Sequence, residues 1–96
     1  MICWVLYDIE NDKARGKAAK CCKQAGLYRV QLSAFLGDVA PDRKDTLQLQ
    51  LEELINEERD KVYIFPMSRD ELRLTVLLGQ AFDKKMVSGE VKSLFL

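Results

Sequence analysis

Ile2-Cys3-Trp4-Val5-Leu6-Tyr7-Asp8-Ile9 is the stretch that decides the fold. From Ile2 to Tyr7 it is apolar on both faces of an extended chain, which predicts a strand in the middle of a sheet covered on at least one side. A single carboxylate, Asp8, closes the run, and Glu10-Asn11-Asp12 with a basic segment follow. An acid at the far end of a central strand suits a site at the strand's carboxyl edge. An acid that merely opens a turn gives the same residue for a structural reason. Both readings stand at this point.

Working outward, Asn11 or Asp12 caps a helix to about Gln24, with Gly26 as its stop signal. Ala14, Ala18, Cys21, Cys22 and Ala25 recur at helical spacing as a narrow packing stripe, leaving Lys13, Lys17, Lys20 and Gln24 toward solvent. Gly16 is a weak point in that helix. Residues 27–36 alternate, with Tyr28, Val30, Leu32 and Ala34 on one side and Arg29, Gln31 and Ser33 on the other. This reads as strand, either one kinked at Ser33 or two short ones. A second helix over about Lys44–Glu58 buries Leu47, Leu51, Leu54 and Ile55. Val62–Met67 is a strand with Pro66 marking an edge. Ser68 with Glu71 resembles a capping box, and Leu74–Leu78 reads as a short fifth strand stopped by Gly79.

This order is that of a ferredoxin-like β-α-β-β-α-β sandwich, class α+β, with an extra C-terminal strand. Residues 1–79 form the domain, and the apolar tail 80–96 docks on its own or a partner subunit. Two helices on one sheet face leave the other bare. The first strand is too apolar to remain bare in water, which predicts a twofold homodimer through that face.

The chain has 96 residues, 48% of them hydrophobic, enough for one folded domain with a modest core. No apolar run approaches the ~20 residues that span a bilayer, and Asp8 and Glu10 interrupt any signal-peptide pattern. Cys3, Cys21 and Cys22 lack a disulfide spacing and fit a reducing cytoplasm. The absence of histidine excludes a Ser-His-Asp triad and makes zinc at the cysteine pair improbable. Net charge is zero but polarised: Lys13, Arg15, Lys17, Lys20 and Lys23 occur without an intervening acid, whereas 45–60 carries six acids against Arg59. A phosphate-binding face is compatible with that distribution.

Tyr7-Asp8-Ile9, then Asp12-Lys13 with Arg15, then Gly26-Leu27-Tyr28-Arg29-Val30-Gln31-Leu32-Ser33-Ala34-Phe35-Leu36-Gly37, form an ordered set. With Tyr63-Ile64-Phe65-Pro66 and Leu77-Leu78-Gly79, they resemble the CRISPR-associated protein two family. This is the small ferredoxin-like subunit of the prokaryotic spacer-acquisition machinery. The resemblance spans about residues 1–79, and Arg-Val-Gln-x-Ser-x-Phe is its specific element.

The resemblance implies a homodimer in which two copies of Asp8 face each other across the twofold axis. It implies a metal-dependent endonuclease acting on single-stranded RNA or double-stranded DNA, and a scaffold bound by the CRISPR integrase partner. By motif position Asp8 is the metal ligand, for Mg²⁺ or alternatively Mn²⁺. Tyr7, Arg15, Arg29 and Phe35 match other positions tied to activity. Lys13, Arg15, Lys17, Lys20, Arg29 and Gln31 are the expected nucleic-acid contacts. Lys17 departs from the arginine of some members and loses bidentate phosphate geometry, and Ala34 replaces a more usual valine. Paired aspartates at an axis repel unless a cation lies between them, and Mg²⁺ accepts one or two carboxylates with waters and phosphate oxygens. A purely non-catalytic DNA-binding scaffold is the alternative function.

Overall fold

In the computed structural model, which describes residues 1–79, the opening apolar run is the central strand β1 (Ile2–Asp8). It is followed by α1 (Asp12–Gln24), β2 (Tyr28–Gln31), β3 (Ala34–Asp38), α2 (Pro41–Leu54), β4 (Lys61–Met67) and α3 (Arg69–Leu74). The strands form one sheet in the order β2-β3-β1-β4, and every neighbouring pair is antiparallel. This is the ferredoxin-like α+β arrangement expected. The tail 80–96 lies outside the described residues.

Alternation along β1 divides its side chains between two layers. Cys3, Val5 and Tyr7 join Ala18, Cys22, Leu47 and Leu51 in a core that α1 and α2 close over one sheet face. Ile2 and Trp4 point to the opposite face, where Leu36, Met67 and Leu72 of α3 gather around them. Beyond that cluster the second face stays apolar and open: Tyr63 is 58% exposed and Phe65 39% exposed, the latter stacked on Trp4 at 6.2 Å.

The helix boundaries follow local chemistry. The Asn11 side chain accepts the Ala14 N–H at 2.9 Å and caps α1, and Gly26 leaves it in the left-handed region at φ +98°. The second helix begins three residues earlier than expected, because Pro41 supplies a favourable first turn. It also ends earlier, at Leu54. There the Asn56 side chain accepts the Glu58 N–H at 3.0 Å and Asp60 takes the Asn56 N–H at 2.9 Å, a local turn that competes with helix.

One alternative left open among the strands is resolved, and one expectation needs correction. Residues 28–36 are not evenly alternating: they form a β2–β3 hairpin turning at Leu32-Ser33, with a bulge between Arg29 and Gln31. The turn contains no left-handed residue, and the bulge re-aims the strand in place of the glycine turn a two-residue hairpin usually needs. Leu74–Leu78 is not a strand within the described residues. The Ser68–Glu71 capping box starts α3, which runs to Leu74, and residues 75–78 pair with no strand there. No helix among the described residues is long and apolar enough to cross a membrane.

Candidate functional site

Where β1 ends, the hairpin tip and the start of α1 converge beside it and enclose an open cleft of about 570 Å³. Asp8, Asp12, Arg15 and Arg29 bring charge to it, and Ile9, Gly16, Leu32 and Ser33 complete the lining. The cleft therefore unites Asp8, Arg15 and Arg29, three residues separated in sequence but expected at one site. A backbone bond from the Tyr7 N–H to the Ser33 carbonyl, 3.0 Å long, ties the hairpin turn to the end of β1.

Asp8 is exposed and its carboxylate makes no hydrogen bond or ion pair among the described residues, although Lys61 of β4 stands opposite it in register. Its parity is that of Ile2, Trp4 and Leu6, so it closes the row of side chains on the face opposite α1 and α2. A turn-opening aspartate would bond to backbone N–H groups just ahead. That task falls here to Asn11, which leaves the Asp8 carboxylate available.

Arg15 is oriented from two sides. Its Nη1 donates to the Ile9 carbonyl at 3.1 Å, and its Nη2 pairs with the Asp12 carboxylate one helical turn back. Arg29 is exposed, with its guanidinium carbon 5.2 Å from the centroid of the Phe35 ring. Arg29 and Phe35 are direct cross-strand partners, so the pairing register sets this contact.

Tyr7 and Phe35, which the resemblance ties to activity, lie outside the cleft lining. Phe35 is fully buried and Tyr7 is 5% exposed; the two rings stack at 6.1 Å in the helix-covered core, on the face opposite Asp8. The Tyr7 hydroxyl is buried and has no hydrogen-bond partner among the described residues. Tyr7 precedes Asp8 in the chain, but alternation turns it inward. Tyr7 and Phe35 stack on each other, and the Arg29 guanidinium lies over the Phe35 ring.

Lys13, Lys17 and Lys20 are exposed on α1 and make no ion pair among the described residues, yet none lines the cleft. Gln31 is exposed on the hairpin and also lies outside the lining. Asp12, Gly16, Leu32 and Ser33 are cleft residues that the site prediction passed over. The three-residue spacing of Asp12 and Arg15 on one helix was a readable signal for the first of them. Leu32 had none, since an exposed leucine at a hairpin tip looks like strand interior in sequence.

No group of three or more potential His, Cys, Asp or Glu metal ligands occurs among the described residues. Asp8, the one unpaired carboxylate lining the cleft, fits a hard cation that keeps most of its own water, and does not fit a structural metal.

A ferredoxin-like domain with a free carboxylate and two arginines at the end of its central strand is the class of protein these observations define. The family described as CRISPR associated protein Cas2 matches residues 1–74, and the chain belongs to that family. It is 37% identical over 67 residues to CRISPR-associated endoribonuclease Cas2 1 of Archaeoglobus fulgidus, covering 70% of this chain and 71% of that one. It is 41% identical over 71 residues to CRISPR-associated endoribonuclease Cas2 of Desulforudis audaxviator, covering 74% and 67%. Among solved structures, Streptococcus pyogenes Cas2 at pH 6.5 superposes with a TM-score of 0.71 at 27% identity, over 82% of this chain and all of that one. A hypothetical protein from Thermus thermophilus gives 0.72 at 29% identity, over 83% and 92%.

Proposed function

We propose that this chain is a divalent-metal-dependent endoribonuclease whose working unit is a twofold homodimer, serving CRISPR adaptation beside an integrase partner. The observation that carries the reading is the free Asp8 carboxylate, exposed at the end of an apolar row on the sheet face opposite α1 and α2. Relatives named CRISPR-associated endoribonuclease Cas2 support RNA as the substrate class. The exposed Tyr63 and Phe65 support burial of that face by a second copy.

In such a dimer the two Asp8 carboxylates would share one axis, where their repulsion favours a cation. Asp8 would hold Mg²⁺ or Mn²⁺, and the ion when bound supplies Lewis acidity toward the scissile phosphate and a nucleophile at neutral pH. The chain's own groups do the rest. Arg15, fixed by the Ile9 carbonyl, and Arg29, seated on Phe35, would offset charge on the nonbridging phosphate oxygens. With no histidine in the chain, the Asp8 carboxylate is the proton acceptor nearest to hand.

The test is Asp8→Asn. Cleavage of a single-stranded RNA should vanish while circular dichroism and sedimentation report the same fold and the same dimer. Cleavage that survives both the substitution and EDTA would overturn the reading.

A second reading, a DNA-binding scaffold without catalysis, is favoured by Lys13, Lys17 and Lys20, all exposed and without acidic partners among the described residues. In that case Asp8→Asn leaves spacer integration by the integrase partner intact. Neutralising the three lysines impairs it and flattens the salt dependence of DNA binding.

A further inference from the structure

Gly16 has no reason within the described chain to be glycine. It lies inside α1, four residues past the first helical residue, and its φ is not in the left-handed region. A Cβ built on it would meet no atom within 4 Å. Glycine in a helix interior is destabilising relative to alanine, so the position carries a cost that neither backbone geometry nor internal packing explains. By contrast, a Cβ at Gly37 would come within 3.1 Å of the Gly26 carbonyl oxygen, an internal reason of the kind Gly16 lacks.

Gly16 is, however, part of the cleft wall, next to Arg15 in the chain and sharing the lining with Arg29 and Asp8. We propose that Gly16 is a contact position for the nucleic-acid strand: its missing side chain lets the sugar–phosphate chain lie against the α1 backbone between the two arginines. A side chain there would fill the space that brings a phosphate within reach of both guanidinium groups. This inference rests on the nucleic-acid reading of the cleft, and its test must separate the two.

The experiment compares native protein with Gly16→Ala, Gly16→Gln and Arg29→Ala, using thermal melting and fluorescence anisotropy with a short fluorescein-labelled single-stranded RNA in EDTA. Both Gly16 variants should melt at or above the native temperature, since alanine and glutamine are better helix formers. Gly16→Gln should weaken RNA binding by about tenfold, the loss of one charge-assisted contact, with Gly16→Ala between it and native. Native-like binding by Gly16→Gln beside weakened binding by Arg29→Ala would overturn the Gly16 inference and leave the cleft reading standing. Native-like binding by both would overturn the cleft reading along with it. A Gly16→Ala protein that melts below native would show an internal role for the glycine and would likewise overturn the inference.

Discussion

The Asp60 carboxylate accepts the backbone N–H of Glu10 at 3.0 Å, joining the turn before β4 to the residue two places beyond Asp8. Its other oxygen accepts the Asn56 N–H at 2.9 Å. One side chain thus closes the α2–β4 turn and fixes how the chain leaves the central strand. The N–H bonds from Asn56 and then from Glu10 hold the Asp60 carboxyl below the usual carboxylate range.

This makes part of the fold's stability pH-dependent. A group whose folded pKa is depressed contributes stability above its unfolded value and loses it as pH falls through the folded one. The capping-box Glu71, lowered by its bonds to Ser68, acts with the same sign. Asp60→Asn should therefore lower the melting temperature at neutral pH, and the gap to native should narrow on acidification below the carboxylate range. Melting curves across that range check it; a gap constant with pH would refute the assignment.

Tyr7→Phe removes a buried hydroxyl that has no partner among the described residues. Removing an unsatisfied buried polar group should raise stability, by about 1 kcal/mol. Urea denaturation measures this. Cleavage should stay at the native level, because the ring and its stack on Phe35 are kept. A loss of cleavage with stability retained would return the hydroxyl to the chemistry.

Phe35→Leu should cost about 1–3 kcal/mol as a core substitution and should also weaken RNA binding by unseating Arg29. A double-mutant cycle with Arg29→Ala should give a coupling of about 0.5–1 kcal/mol in binding, the scale of a cation–π contact. Additive effects would mean that Phe35 only packs.

Burial pushes the Cys22 thiol up to about 12 and raises that of Cys3 as well, whereas Cys21 is partly exposed. A thiol reagent at mildly alkaline pH should label Cys21 in the native protein and all three cysteines after unfolding, as read by mass spectrometry. Rapid native labelling of Cys3 or Cys22 would contradict the core described.

The central strand and its acid were legible because a doubly apolar run allows few placements, and the sheet order followed from the alternation of strands and helices. Asp8, Arg15 and Arg29 were legible as a set through their motif, which the cleft then brought together. The failures were local. No glycine or asparagine marks the Leu32-Ser33 turn, so the bulge that makes it workable left no trace in sequence. The apolar residues after Leu74 mimic a strand, but pairing depends on a neighbour that sequence pattern does not reveal. Tyr7 shares a motif with Asp8, yet strand alternation turns the two side chains to opposite faces, Tyr7 into the core and Asp8 to solvent.

Because β1 pairs with β3 from Ile2 to Leu6 and with β4 as far as Asp8, its two-residue rhythm is fixed by its neighbours. Inserting or deleting one residue upstream of Asp8 would exchange the two layers: the carboxylate would turn into the core and the tyrosine out to solvent. The count of residues from Ile2 to Asp8 thus decides which face the carboxylate takes, and the strand works as a ruler as much as a scaffold.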